Sequence, residues 1–257
     1  PYATRCASAA TCSTSGPPVP GSRTTSGGRL DPEGIVRQAR TMLDRYGFSA
    51  LKLKGGVFEP QAEIAAVLAL RQEFPDLPIR LDPNAAWTVE TSVMVGQALD
   101  GVIEYLEDPT PGISGMAEVA RRVSMPLATN MCVVAFDDIE PSIRQDAVGV
   151  ILSDHHFWGG LRRSQLLGGL CRTFGLGLSM HSNSHLGISL AAMTHLAAAT
   201  ANLDYACDTH WPWKDPNEDV IIPGAIGFSD GAVTVPTGPD SGWSWTATPW
   251  PGCTSST

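Results

Sequence analysis

A chain of 257 residues with 43% hydrophobic and 17% charged side chains has enough apolar material for one large core or two small ones. Its net charge of -9 offers no basic face to nucleic acid, so an anionic substrate would have to be drawn in by local cations rather than by the overall field. No apolar run is long enough to span a membrane and no secretory signal is visible; a cytoplasmic chain is expected, with its six cysteines reduced and mostly buried because none forms a C-x-x-C pair.

Residues 1–29 are crowded with Ser, Thr, Ala, Gly and Pro and carry no hydrophobic period, so an irregular segment is expected there. Regular alternation begins at residue 30. "DPEGIVRQARTMLDRYG" reads as a helix with Asp31 as N-cap, Pro32 at the first helical position and Gly47 as its stop. The strand "ALKLK" follows, then helix Pro60–Phe74, strand "PIRLD", helix Val89–Leu99 and strand "GVIEYLE". The order continues with helix Ser114–Val123, "PLATN", helix Asp137–Gln145, "VGVILSD", helix Leu161–Phe174, "GLGLSMH", helix Leu186–Ala199 and a short last strand near "LDYACDTH". Mostly apolar strands joined by amphipathic helices imply a parallel α/β sheet; an open doubly wound sheet and a closed (β/α) barrel both fit. The domain is expected to run over residues 30–237, followed by an irregular tail, 238–257. No G-x-G-x-x-G or Walker motif appears, which argues against a nucleotide site.

The polar residues fall at the strand ends. Lys52 and Lys54, Asp82 with Asn84, Glu107 with Asp108, Asn130, Asp154 with His155 and His156, His181 with Ser182 and Asn183, and Asp208 with His210 all follow apolar runs. In a parallel barrel these ends meet at one rim, where barrel enzymes keep their chemistry. Asp82, Glu107 and Asn130 come from consecutive strands and offer three oxygen ligands, a set suited to Mg²⁺. Lys52 and Lys54 share one strand face. Beside a cation and a second ammonium, Lys54 is expected to have a lowered pKa and to act as a base, with Lys52 as its neighbour. His181, oriented by Asp154, is a candidate acid/base. His155 and His156, being adjacent, are expected to face opposite ways, so that at most one serves the site; His195 reads as a packed helix residue.

Together these residues resemble the enolase superfamily, in its mandelate-racemase-like branch. "KLK", "LDPN", "LEDP", "LATN", "LSD" and "SMHSN" stand in the order of that branch's K-x-K, metal-ligand and His-Asp stretches. "YGFSALKLKGG", "RLDPNAAWT", "LATNM", "DHHFWGG", "HSNSHLGISLA" and "DTHWPW" are similar to the glucarate dehydratase family within it, from about Leu30 to about Pro239. The resemblance implies an enolase-type (β/α) barrel, a Mg²⁺ held by Asp82, Glu107 and Asn130, and two bases, Lys54 with Lys52 and His181 with Asp154. It further implies that Asn84, Ser182, Asn183 and His210 touch substrate oxygens. The implied substrate is an acid sugar, an aldarate: D-glucarate or L-idarate would lose a proton next to a carboxylate and then the neighbouring hydroxyl, giving 5-dehydro-4-deoxy-D-glucarate. Mg²⁺ and an ammonium would stabilise the ene-diolate, a strategy associated with this superfamily. The intact family member is expected to be a homo-oligomer.

The N-terminal capping domain of the family is not evident, nor is a first barrel strand before Asp31, so the chain reads as a fragment with an incomplete barrel. Three competing readings remain. One is another acid-sugar dehydratase or epimerase of the superfamily. Another is a Zn²⁺ hydrolase, suggested by "DHH", "HSNSH" and "DTH" but lacking an early H-x-H pair. The last is an inactive fragment that associates with an intact homologue.

Overall fold

A computed structural model describes residues 5–13, 31–182, 186–214, 219–222 and 224–238, with only the backbone described in 5–13. Its order is β1 (Arg5–Ser13), α1 (Pro32–Tyr46), β2 (Ala50–Lys54), α2 (Pro60–Glu73), β3 (Ile79–Asp82), α3 (Val89–Ala98) and β4 (Tyr105–Glu107). Then come α4 (Gly112–Ala120), β5 (Leu127–Thr129), α5 (Phe136–Gln145), β6 (Val150–Ser153), α6 (Leu161–Phe174), β7 (Gly177–Met180), α7 (Gly187–Ala198) and β8 (Cys207–Thr209). A short hairpin, β9 (Phe228–Ser229) and β10 (Ala232–Thr234), lies antiparallel to the start of β1.

Strands β2 to β7 pair in parallel with their sequence neighbours, and β1 runs parallel between β2 and β8. The result is a (β/α) barrel rather than an open doubly wound sheet. It is incomplete at one seam. Among the described residues no ladder joins β7 to β8; Asp204 and Tyr205 N–H donate to Leu178 O there, at 3.0 and 3.3 Å. The expectation of an irregular N-terminal segment without a first strand is corrected at Arg5–Ser13. "RCASAATCS" has no apolar alternation, and its extended form comes from hydrogen-bonding partners on both sides, which no local pattern reveals.

The helices formed where their local signals placed them. Asp31 accepts from Gly34 N–H at 2.8 Å, and Gly47 closes α1 with φ +70°. The strand pleat separates two environments. Leu51, Leu53, Leu81, Leu106, Ile151 and Leu178 point outward and join Ile35, Val67, Leu70 and Val119 of the helices in the main core. Tyr105, Ala128, Val150 and Leu152 form a smaller cluster on the inner face. That inner face also carries Lys52, Arg80, Asp82 and Glu107, all at most 1% exposed. Among the described residues no helix is long and apolar enough to cross a membrane. Among the described residues Cys132 and Cys171 are free thiols, and Cys171 and Cys207 are buried.

Candidate active site

The two lysines of β2 lie on the inner face of the barrel. Lys52 is fully buried and does not reach solvent. Its Nζ donates to Glu107 Oε1 at 2.7 Å and to Asp208 Oδ2 at 2.5 Å, and lies 3.4 Å from Asp82 Oδ2. Burial by itself would pull this ammonium down, but Asp208, Glu107 and Asp82 outweigh it and hold Lys52 well above the ordinary lysine range. It is therefore a fixed positive charge. Lys54, one pleat nearer the rim, pairs with Asp82 and stands 3.4 Å from Asn84 Oδ1. Register explains the pairing, since Lys54 of β2 lies opposite Asp82 of β3.

Asp82, Glu107 and Asn130 converge as the sequence spacing suggested. Asn130 Nδ2 donates to Glu107 Oε1 at 2.8 Å, the atom that also takes Lys52. Burial opposes ionisation at Asp82, yet Lys52 and Lys54 hold its carboxyl well below the usual range. Glu107 is pushed the other way, by burial and by the Asp82 charge. Glu107 Oε2 is buried and accepts no hydrogen bond. A buried carboxylate oxygen left without a donor, beside two further oxygen-bearing side chains, fits a hard divalent cation.

His181 ends the barrel's inner face on β7, with Nδ1 3.1 Å from Asp154 Oδ2. Burial opposes the charge on Asp154, but hydrogen bonds from His181 and from the backbone and ring of His156 keep it well below the carboxylate range. Burial pulls His181 below the ordinary imidazole value. Ser182 Oγ meets His210 Nδ1 at 3.1 Å. Asn84 is exposed at the rim, with φ +52°. Asn183, with the rest of residues 183–185, lies outside the described residues.

One expectation is corrected. His155 and His156 do not face opposite ways, because residues 155–159 are wound into turns rather than extended. Their ring centroids lie 4.2 Å apart, and both Nε2 atoms approach Ser189 Oγ, at 3.2 and 2.9 Å.

Three further residues, Asp208, Arg80 and Asp108, complete the site. Asp208 bridges Lys52 and Arg80 at the barrel axis, fully buried. Its signal was available, since it precedes His210 by two and so shares its inward face. Arg80 donates to Glu104 and to Ala206 O at 2.7 and 2.8 Å and lies over the Tyr105 ring. Asp108 accepts from Thr129 Oγ1, Asn130 N–H and Met131 N–H at 2.5, 2.8 and 3.2 Å, which fixes the turn that presents Asn130. Burial pushes the Asp108 carboxyl up to about 6 against those donors.

His210 supplies a pH prediction. Burial, then the Lys52 and Lys54 charges, lower its imidazole to about 4. The unfolded chain, at the ordinary value of roughly 6.5, takes up this proton first. The contribution is complete above that value, declines as the pH falls and levels off near 4. It amounts to about 3 kcal/mol at most. Urea midpoints should therefore fall from pH 7.5 to pH 4.5, and His210→Asn should reduce that slope; an equal slope in the variant would contradict the assignment.

The chain belongs to the enolase C-terminal domain-like family, whose pattern it matches over residues 34–247. It is 56% identical over 216 residues to a probable glucarate dehydratase of Streptomyces coelicolor, covering 84% of this chain and 49% of that protein. A crystal structure of an enolase from Mycobacterium smegmatis complexed with formate and acetate superposes with a TM-score of 0.88 at 62% identity, over 95% of this chain and 57% of the other. An enolase from Gibberella zeae complexed with magnesium, formate and sulfate gives 0.89 at 61%, over the same shares. The chain thus spans about half the length of the curated relative just named.

Proposed function

We propose that this chain carries the barrel of a Mg²⁺-dependent acid-sugar dehydratase that converts D-glucarate, or its epimer L-idarate, to 5-dehydro-4-deoxy-D-glucarate. The observation that carries the reading is the arrangement of chemistry along the β2–β7 arc. Lys54 stands at one end and the Asp154–His181 pair at the other, with the oxygen set of Asp82, Glu107 and Asn130 between them. The 56% identity to a probable glucarate dehydratase supports the substrate class.

Asp82, Glu107 and Asn130 would hold the ion, and the orphaned Glu107 Oε2 is a ready ligand atom. Bound there, Mg²⁺ supplies electrostatic stabilisation of the charge that develops on the substrate carboxylate. The chain's own groups handle the protons. Lys54 and His181 approach from different strands, so each takes the proton from one epimer at the carbon next to the carboxylate. Lys52 stays charged and opposes the anion that forms. His181, once protonated, gives its proton to the departing hydroxyl, which leaves as water, and the enol that remains becomes the keto acid. Asn84, Ser182 and His210 stand at the rim to bind substrate oxygens, and Asn183 is assigned there by sequence position. The purified chain should form the deoxy-keto diacid from D-glucarate only with Mg²⁺, and His181→Asn should lower kcat by about 10²–10⁴-fold. Lys54→Ala should impair one epimer more than the other. A folded chain without turnover would remove this activity from the chain.

A further inference from the structure

Asp154 is shared. Its Oδ2 meets His181 Nδ1 at 3.1 Å, while its Oδ1 meets His156 Nδ1 at 2.6 Å and the His156 backbone N–H at 2.9 Å. His156 continues outward, with Nε2 2.9 Å from Ser189 Oγ in the first turn of α7, and the same hydroxyl lies 3.2 Å from His155 Nε2. The carboxylate at one end sets a consistent order of protons along this chain. A carboxylate accepts only, so His181 and His156 both donate to it from Nδ1. With one proton on the His156 ring, at Nδ1, its Nε2 carries a lone pair and Ser189 donates to it. A hydroxyl has a single proton, so His155 must donate its Nε2–H to Ser189. One consistent direction runs from His155 through Ser189 and His156 to Asp154.

We propose that His156, held by Ser189, is a positioning residue for His181. It pins the second oxygen of Asp154, so that the carboxylate cannot turn away and His181 is kept as the Nδ1–H tautomer with Nε2 directed to chemistry. The terminal torsion of a carboxylate is broad, and the His156 backbone N–H on Oδ1 restrains it less than that N–H and the ring Nδ1 together. With the ring in place as well, Oδ2 is kept as the acceptor for His181. The inference deepens the reading of His181 as an acid/base and rests on it for its catalytic meaning, but the tautomer is observable without turnover. His156 is 48% exposed in its side chain, so it contributes little packing and can be replaced without opening a cavity.

The test is long-range ¹H–¹⁵N correlation of the imidazole rings in the ¹⁵N-labelled 257-residue chain, which contains six histidines. Unsubstituted chain should show His181 in the Nδ1–H form. In His156→Leu it should become a mixture with the Nε2–H form, and His156→Asn, whose side-chain amide can donate at the position of Nδ1, should restore the single form. A residue with only a structural role would lower Tm and leave the His181 tautomer alone; that result overturns the proposal. If His156→Leu does not fold, Ser189→Ala is read at His156 itself, where loss of the donated hydroxyl proton should let the Nε2–H form appear. An unchanged His156 tautomer there also overturns it. Absence of glucarate turnover would refute the functional reading and leave these signals as they are, so the two failures are distinct.

Discussion

Replacing Lys52 by Met is expected to lower the unfolding free energy by about 3–5 kcal/mol at neutral pH without divalent cations. The side chain is apolar, unbranched and close in length, so packing is nearly retained and the loss isolates the charge. Lys52 is the common partner of Glu107 and Asp208 and lies 3.4 Å from Asp82. All these carboxylates are at most 1% exposed and cannot recover hydration when the ammonium goes. Removing one partner of a buried ion group costs far more than the group's net worth, because uncompensated charge stays behind. The pH dependence should change as well. In the variant the carboxylates gain raised folded-state values, so the folded chain takes up protons before the unfolded one and the deficit shrinks as the pH falls. Urea denaturation at several pH values measures both effects. A loss below about 1 kcal/mol would place Lys52 among exposed ion pairs and contradict its burial.

Gly56→Ala is expected to cost about 2–4 kcal/mol and to disturb the site from behind. Gly56 has φ +77°, a region that a Cβ makes unfavourable. The added carbon would collide with Pro83 O and come within 2.8 Å of Ala86 Cβ. Pro83 O is backbone, and the turn around it is already tight, with Asn84 and Ala85 at φ +52° and +58°. On the other side, Glu63 of α2 is fully buried and accepts the N–H groups of Gly56, Val57 and Phe58 at 2.9, 2.9 and 3.0 Å, so the loop after Lys54 has no slack. Either the β2 loop or the Asp82–Ala86 turn must shift, and both carry residues of the candidate site. Gly101→Ala is the control, with φ +67° but open space around it. It should cost only about 1 kcal/mol, and the difference in urea midpoints between the two variants measures the collision. Equal costs would mean that conformation alone accounts for Gly56.

The site was legible to the extent that it follows strand periodicity. Lys52, Lys54, Asp82, Glu107 and Asn130 each end an apolar run with the correct parity, and the barrel brings them to one rim. Asp208 obeys the same parity, but its contact with Arg80 joins residues 128 apart in sequence, which no local pattern shows. The strand at Arg5–Ser13 left no local trace, because small residues take their conformation from the ladders on either side.

The sequence by itself determined the alternation of helix and strand, the two-faced pleat and the chemical types at the rim, since all three are local and periodic. Tertiary structure alone decided between open sheet and barrel, because the curl of β8–β1–β2 to β7 brings Asp204 and Tyr205 N–H back to Leu178 O. It alone set the state of Lys52, whose buried ammonium stays charged because carboxylates arrive from other strands. It alone turned His155 and His156 toward one hydroxyl, where a turn replaced the extended chain that their spacing suggested. Local pattern specifies what each segment can be; only packing specifies which distant charges share the low-dielectric space at its end.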